Sequence, residues 1–329
     1  MKRLVYKEIQ DHVAKTHDIG YNREFKDLQK KRNYKKVGDF APGPSYYKYF
    51  TLESAIKCLD NETIAFVEPS IWQDAYESLY YEADYSNVTS DDKTHPRVFC
   101  TCATNQKHDE PAWRIYSSDD NVCVQFAIDR PKFRLAILKA LIDGDSVYEG
   151  TVQYTSKWTV ENIGKRQKMD KKTKLLVPNK LYDEFIDNKH PFSIDNFINL
   201  LLLKRKDFAH EQETRFIIVK KDDLDNISDP STSKAQETRN EETTATGRKV
   251  TITRGKPHVL QNINWVEIIK SITINADTSS QNYKDLYCAV ESMIKRNIAN
   301  VTQQNIYLKK LTPIFYPVYG KLQKMTIDK

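Results

Sequence analysis

The residues with the clearest chemical potential form an E-x-E-x-R motif at Glu211, Glu213 and Arg215. In a strand or an extended turn, side chains two positions apart point the same way, so this spacing predicts two carboxylates and one guanidinium on one face. Neighbouring carboxylates raise one another's pKa, whereas an arginine lowers both. The set suits a site in which one carboxylate holds a sugar hydroxyl and the other orients or deprotonates a nucleophile. An edge strand with a solvated salt-bridge face would show the same motif, so both interpretations stay open.

Two aromatic segments precede this motif and could supply a binding wall. Tyr47 and Tyr49 share one face of a predicted strand, where their hydroxyls either reach ribose hydroxyls or simply pack. Trp113 and Tyr116 either cover a core or stack on a flat ring such as nicotinamide or a nucleobase. Arg114, which lies between them, is available for a phosphate.

Positive charge is unevenly distributed along the chain, whose formal net charge is +6. Residues 1–39 contain 11 lysines and arginines against 6 acidic residues, and further basic runs lie at 165–174 and 309–324. Clustered cations attract polyanions through the release of counterions, so nucleic acid is a predicted partner. A solvated lysine-rich surface would show the same pattern, and the interspersed acidic residues favour that interpretation.

Cysteine and glycine usage excludes several common site types. The 5 cysteines contain no C-x-x-C pair, and their odd number suits reduced intracellular thiols rather than a disulfide framework or a zinc site. The 9 glycines form neither G-x-G-x-x-G nor G-x-x-x-x-G-K-[ST], which removes the usual support for Rossmann and P-loop sites. No bound metal is predicted.

The distribution of apolar residues along the chain indicates where in the cell the protein is expected. The longest apolar runs are far too short to cross a bilayer, and the start of the chain lacks the apolar core of a secretory signal. We therefore expect a cytoplasmic protein without membrane contact.

Short predicted strands mix with helices without a regular βαβ alternation, which predicts an α+β fold with a mainly antiparallel central sheet and surrounding helices. Residues 1–40 are predicted to be a basic helical extension, 46–312 a single α+β domain and 313–329 a C-terminal tail. Residues 222–249, with scarcely an apolar side chain, are predicted to be an exposed polar insertion. Strands are predicted at 46–50, 64–67, 97–103, 121–128, 152–154, 216–219, 249–253, 268–274 and 305–311, and helices at 52–59, 133–142, 159–171, 181–203 and 282–297.

Five motifs occur in a fixed order: Tyr47-Lys48-Tyr49, Gln73–Glu77, Cys100-Thr101-Cys102, Ala112–Tyr116 and Lys204–Arg215. Their order and spacing resemble a large bacterial family known only as a domain of unknown function. That family tends to show Y-K-Y, N-D-P-F-E, C-x-S, M-W-x-x-Y and K-x-x-x-[FWY]-x-x-E-x-E-x-R. The resemblance covers about residues 46–312. The chain departs from the family pattern at Gln73, Ala75 and Cys102.

The layout is also similar, more distantly, to that of ADP-ribosyltransferases. This resemblance implies an ADP-ribosyltransferase-like fold, with Tyr49 on the first strand and Tyr116 or Ser117 against nicotinamide. Glu213 would be the late glutamate and Glu211 the carboxylate that faces the acceptor. Those enzymes carry His or Arg at the first-strand position, and Tyr49 departs from that pattern.

The same resemblance implies a reaction and a substrate, NAD. Glu213 would accept a hydrogen bond from the ribose 2′-hydroxyl and stabilise an oxocarbenium-like transition state, and Arg215 completes the predicted catalytic set with Glu211 and Glu213. Trp113 would hold the departing nicotinamide ring with Tyr116, and Arg114 or Lys204 would hold the pyrophosphate. Tyr47 would reach the ribose from the first strand.

The expected function is therefore transfer of ADP-ribose from NAD to a protein or nucleic-acid acceptor, in conflict between bacteria and phage. One alternative is a nucleic-acid-processing enzyme, a nuclease or base glycosidase, that uses the same carboxylates. A second alternative is a non-catalytic nucleic-acid-binding module, in which residues 1–39 supply the affinity.

Overall fold

The structure is a computed structural model, and it describes only part of the chain. At 70, 167–169, 176–178, 194–196, 238–243 and 249–254 it describes the backbone alone. The described residues are 23–38, 43–72, 77, 98–107, 112–113, 117, 122–142, 144–156, 167–169, 176–178, 194–220, 238–243, 249–254, 257–275 and 278–315.

The described residues form short strands, seven α-helices and two 3₁₀ helices, Pro69–Ile71 and Lys206–Glu211. The strands are β1 (Tyr34–Val37), β2 (Ser45–Thr51), β3 (Ile64–Phe66), β4 (Val98–Thr104), β5 (Cys123–Asp129), β6 (Ser146–Thr151), β7 (Gln153–Thr155), β8 (Gln167–Met169), β9 (Leu176–Pro178), β10 (Leu203–Arg205), β11 (Glu213–Val219), β12 (Thr238–Thr243), β13 (Lys249–Arg254), β14 (His258–Leu260), β15 (Ile269–Ile274) and β16 (Ile314–Phe315). The helices are α1 (23–31), α2 (Leu52–Asn61), α3 (Arg130–Ala140), α4 (Ile194–Leu201), α5 (Trp265–Ile268), α6 (Ser280–Asn297) and α7 (Val301–Leu311).

An eight-stranded sheet organises these elements, in the order β1-β6-β11-β4-β2-β5-β15-β16. The two outermost pairs, β1 with β6 and β15 with β16, are parallel, and the five pairs between them are antiparallel. The predicted α+β class with a mainly antiparallel central sheet is therefore confirmed.

Successive residues of β11 divide between two hydrophobic cores, because side chains alternate across a sheet. Phe216 joins a large core with Tyr46, Phe133 and Trp265, into which helices from one face pack. Ile217 joins a smaller core on the opposite face, which the apolar helix α4 covers. The centre of the sheet is thus buried on both sides.

Helix caps set the start of the two helices that follow β2 and β5. Thr51 ends β2 and its hydroxyl accepts a 3.3 Å hydrogen bond from the Ser54 backbone N–H, which begins α2. Asp129 accepts a 3.2 Å hydrogen bond from the Lys132 N–H, and Pro131 stands in the first turn of α3. The helix predicted over 52–59 is confirmed as α2, and the helix predicted over 133–142 is confirmed as α3, which begins three residues earlier.

Two predicted elements near the ends of the sheet are wrong. Residues 305–311 form part of helix α7, not a strand, because Asn300 caps that helix by accepting a 3.0 Å bond from the Gln303 N–H. Residues 34–37 of the predicted helical extension form β1, because Tyr34 packs into the main core and pairs in the sheet with β6.

Three further predictions are wrong in part. Residues 167–169 are strand β8, paired with β9, rather than helix. The helix predicted over 181–203 is seen as α4 and ends before β10, while 181–193 lies outside the described residues. Residues 238–243 of the polar insertion form β12, since pairing with β13 satisfies the backbone groups of both strands.

Across the residues described, none of the helices combines the length and apolar character needed to cross a membrane.

Candidate functional site

The E-x-E-x-R motif lies where a 3₁₀ helix, Lys206–Glu211, turns into β11. Gln212 makes this turn with a left-handed backbone, φ 43°. Glu213 and Arg215 begin β11 and point to the same face of the sheet, as their spacing predicts. Glu211 reaches the same cluster from the 3₁₀ helix rather than from the strand.

The ammonium group of Lys204, on β10, is the centre of the site. Its Nζ lies 2.6 Å from Glu211 Oε2, 2.8 Å from Glu77 Oε1 and 3.2 Å from Glu213 Oε2. The ammonium therefore has three donors directed at three carboxylates. The five residues Glu77, Lys204, Glu211, Glu213 and Arg215 are called the acid–base cluster below.

Arg215 is the most deeply buried residue of this cluster, and its side chain is 0% exposed. Its Nε lies 2.8 Å from Glu213 Oε1, and its Nη2 lies 2.7 Å from Glu77 Oε2 and 3.2 Å from Glu213 Oε2. Nη1 donates a 2.6 Å bond to the carbonyl of Leu201, in the last turn of α4. The indole of Trp72 lies against the guanidinium, 4.3 Å from ring centroid to Cζ. The guanidinium thus joins β11 to α4 and to Glu77.

The two carboxylates of the motif differ in their protonation behaviour. Burial would raise the pKa of Glu213, but Arg215 and Lys204 outweigh it and hold that pKa well below the usual range. For Glu211, burial outweighs the opposing effect of Lys204 and raises the pKa above its ordinary value. The Glu211 side chain is also the more exposed, 22% against 8% for Glu213. Glu213 therefore stays ionised, whereas Glu211 is the carboxylate that can exchange a proton.

Neighbouring groups fix Glu213 further. Burial, and then the charge of Glu213, raises the pKa of the Cys102 thiol, which remains protonated and hydrogen-bonds to the Glu213 carboxylate. The backbone N–H of Glu213 donates a 2.9 Å bond to the Tyr154 hydroxyl. Neither oxygen of Glu213 is left without a cationic donor.

Among the predicted aromatic residues that the structure describes, Tyr47 lies on the same face of the sheet as Glu213 and Arg215. Glu213 pairs with Thr104 across β11 and β4, and Thr104 pairs in turn with Tyr47 on β2. Directly paired residues point to the same face, so Tyr47 stands two strands away from Glu213 on its side of the sheet. Tyr47 is half-buried.

The other predicted wall residues are placed differently. Tyr49 and Trp113 pack edge-to-face, with ring centroids 5.3 Å apart, and both rings are buried. They cover a small core rather than offer an open stacking surface. Ser117 lies towards the other end of the sheet, where its Oγ accepts a 3.1 Å bond from Asn275. The remaining predicted members, Arg114 and Tyr116, lie outside the described residues.

Two residues of the site region were not assigned a functional role from the sequence. Glu77 closes the second motif, and it binds both cations of the acid–base cluster. Lys48, the centre of the first motif, donates to Thr101 Oγ1 at 2.8 Å and to the Cys102 carbonyl at 2.9 Å. Burial lowers the pKa of Lys48. The sequence feature that could have pointed to Glu77 and Lys48 is that each belongs to one of the five motifs.

A second buried ionic group lies in the main core and was missed entirely. The carboxylate of Glu149, on β6, is 0% exposed and accepts hydrogen bonds from the hydroxyls of Tyr34 and Tyr46. Arg134, on α3, binds the same carboxylate through Nε at 2.6 Å and Nη2 at 2.5 Å. This group ties β1, β2, β6 and α3 together.

Comparisons with known proteins add no relative. No protein-family model matches the chain, and the searches of curated proteins and of solved structures found no match. Among the described residues, no group of three or more His, Cys, Asp or Glu side chains is arranged to hold a metal ion.

Proposed function

We propose that this chain is an ADP-ribosyltransferase-type enzyme that cleaves nicotinamide from NAD, with Glu211 as the proton-accepting carboxylate. The proposal rests on the opposite pKa shifts of Glu211 and Glu213, two carboxylates that both bind Lys204. One is held ionised by two cations, and the pKa of the other is raised by burial. Paired carboxylates whose environments separate their pKa values are the usual basis for distinct roles in one active site.

The hydrogen bonds of Glu213 support Glu211, rather than Glu213, as the proposed reacting carboxylate. A ribose hydroxyl could bind Glu213 only by displacing Arg215 or Lys204, because both Glu213 oxygens already accept from these cations. Glu211 is bound by Lys204 through Oε2 and is partly open to solvent. In this proposal Glu213 holds Lys204 in place through an ion pair, and Lys204 in turn orients Glu211.

The charge of the acid–base cluster suits the proposed reaction. Its three carboxylates outnumber its two cations, so it is negative overall when all five groups are ionised. When the bond between nicotinamide and ribose breaks, nicotinamide leaves with the bonding electrons and positive charge develops at the ribose. A fixed negative group in a partly dry setting stabilises that charge.

The second half of the reaction uses the titrating carboxylate. An acceptor hydroxyl or water forms the new bond to the ribose carbon, and its proton passes to Glu211. A raised pKa makes Glu211 a better base than an ordinary surface glutamate. Of the predicted aromatic residues that the structure describes, Tyr47, half-buried on the same face of the sheet, is the one proposed to contact the sugar.

The test is the release of nicotinamide from NAD by the full chain. Glu211→Gln should lower the rate about 10²–10⁴-fold, the usual contribution of a general base. Asp207→Asn, an exposed carboxylate on the same 3₁₀ helix, is the matched control and should leave the rate unchanged. Thermal unfolding of both variants should stay close to that of the wild type, since Lys204 keeps Glu77 and Glu213 as partners after Glu211→Gln.

The pH dependence provides an independent check. Because Glu211 must be deprotonated to accept a proton, the rate should rise with pH through a pKa above the ordinary value of 4.5. Absence of nicotinamide release by the wild type, or equal rates for wild type and Glu211→Gln, would reject the proposed function.

A further inference from the structure

Tyr154, on β7, is a half-buried tyrosine beside the acid–base cluster. β7 and β10 run parallel, and Tyr154 stands directly opposite Lys204 in their pairing. Residues paired in this way project to the same side, so the tyrosine adjoins the lysine that binds Glu211 at 2.6 Å. The Tyr154 hydroxyl reaches as far as the backbone N–H of Glu213, from which it accepts a 2.9 Å hydrogen bond.

Backbone hydrogen bonds fix β7 against the cluster. The Val152 N–H donates to the Glu213 carbonyl at 3.0 Å, and the Gln153 N–H donates to the Leu202 carbonyl at 2.7 Å. Tyr154 therefore stands on a strand that is tied both to β10 and to the start of β11. A hydroxyl held on such a support can keep a ligand atom in one orientation.

The Tyr154 hydroxyl has a hydrogen left to donate. Its oxygen accepts from the Glu213 N–H, and in the part of the chain that the structure describes its O–H donates to no other group. A phenolic hydroxyl offers one hydrogen in addition to its lone pairs. Burial, and then the charges of Glu213 and Glu211, raises the pKa of Tyr154, so the hydroxyl keeps its proton. Tyr154 is thus a positioned hydrogen-bond donor.

Glu211 offers the complementary oxygen. Lys204 binds its Oε2, and within the described ranges no donor binds its Oε1. Lys204 itself has no N–H left for a ligand, because its three donors are directed at Glu77, Glu211 and Glu213. A small polar group at this edge of the cluster therefore meets one phenolic donor and one carboxylate oxygen.

We infer that Tyr154 and Glu211 together bind the nucleophile that receives ADP-ribose, and that this nucleophile is a hydroxyl group, of water or an alcohol, rather than a guanidinium. The inference rests on the proposed function. A hydroxyl oxygen accepts a hydrogen bond from Tyr154 while its own hydrogen is donated to Glu211. A guanidinium carries donors only and cannot accept from Tyr154, and a carboxylate nucleophile has no proton to give to Glu211.

The transfer step balances with these two residues. The oxygen of the nucleophile bonds to the ribose carbon as the bond from that carbon to nicotinamide breaks, and nicotinamide keeps the bonding electrons. The proton of the nucleophile passes to Glu211. Tyr154 retains its own proton and holds the incoming oxygen towards the ribose carbon, which is a contribution of orientation.

A competition between nucleophiles tests the chemical class. The full chain is incubated with NAD in water that contains methanol and agmatine, a small guanidine, at equal concentrations, and the products are separated by mass spectrometry. We expect ADP-ribose and its methyl glycoside, without a conjugate of agmatine. An agmatine conjugate formed in an amount equal to the methyl glycoside, or larger, overturns the inference.

Tyr154→Phe tests the residue. The kcat for nicotinamide release should fall about tenfold, the effect of one lost hydrogen bond, while the KM for NAD stays within about twofold because Tyr154 contacts the nucleophile. Tyr287→Phe, at a half-buried tyrosine that packs against the main core from α6, is the matched control and should change neither constant. A purely structural role of Tyr154 would change kcat and KM together, and that result overturns the inference.

The outcomes separate this inference from the proposed function. If the wild type releases no nicotinamide, both are rejected. If the wild type releases nicotinamide and Tyr154→Phe releases it equally fast, only the role of Tyr154 is rejected. Should Tyr154→Phe fail to fold, the products that the wild type forms with methanol and agmatine decide the result.

Discussion

Replacing Arg215 with methionine should lower the free energy of unfolding by about 3–5 kcal/mol, the cost of removing one partner from a buried ion pair. The substitution keeps an apolar chain of similar length but leaves Glu77 and Glu213 with Lys204 as their shared cation. It also removes the donor that satisfies the Leu201 carbonyl in the last turn of α4. Urea unfolding followed by circular dichroism measures the change.

Two controls make this result specific. Arg205→Met removes a nearby arginine whose partner Asp207 is 74% exposed, and its effect should stay below about 1 kcal/mol. The double variant Arg215→Met with Glu213→Gln should lose less free energy of unfolding than the sum of the two single variants. Glu213→Gln removes the negative charge that Arg215→Met leaves without its arginine partner. An Arg215→Met protein as stable as the wild type would contradict the structural role assigned to the acid–base cluster.

The free energy of unfolding of Arg215→Met should also depend on pH differently from that of the wild type at acidic pH. The folded-state pKa of Glu213 lies below its ordinary value of 4.5, so its stabilisation is complete above that pH and is lost as the pH falls. Without Arg215 this depression weakens. The stability of Arg215→Met should therefore fall less steeply than that of the wild type as the solution is acidified.

Glu149→Gln should also destabilise the protein by about 3–5 kcal/mol, because it leaves Arg134 without its carboxylate partner inside the main core. The amide would keep the shape, but its NH2 group would replace one of the two oxygens to which the hydroxyls of Tyr34 and Tyr46 now donate, so one of these hydrogen bonds would be lost. The same urea titration measures the loss.

The matched control for this change is Glu24→Gln. Glu24 pairs with Lys139 at 2.7 Å, but both side chains are about half exposed, so the loss should be under about 1 kcal/mol. Equal losses for the two variants would show that the Glu149 group contributes no more than a surface pair.

Local patterns explain which parts of the fold were predictable from the sequence. β2 and α2 follow from alternating apolar residues and the cap at Thr51, and α3 follows from Asp129 and Pro131. β6 was missed because its buried residues include Glu149, which no alternation of apolar side chains reveals. Helix α7 was taken for a strand because Ile306 and Leu308 alternate with polar residues, although the cap at Asn300 specifies a helix.

The candidate site was predictable to the extent that its residues lie close together in the chain. The spacing of Glu213 and Arg215 placed both on one face, and Lys204 was already among the predicted residues. The role of Glu77 was not predictable, because Glu77 contacts Arg215 from 138 positions away along the chain. That Glu213 is fully engaged by cations, and that Tyr49 is buried, depends on tertiary packing alone.

The most direct test of the central claim is a carbon-13 NMR titration of the glutamate carboxyl groups, with Glu211→Gln and Glu213→Gln to assign the signals. The structure predicts that the Glu211 carboxyl titrates above its ordinary pKa of 4.5, whereas that of Glu213 remains ionised far below it while the protein stays folded. A Glu213 signal that titrates at or above the pKa of Glu211 would contradict the division of roles between the two carboxylates.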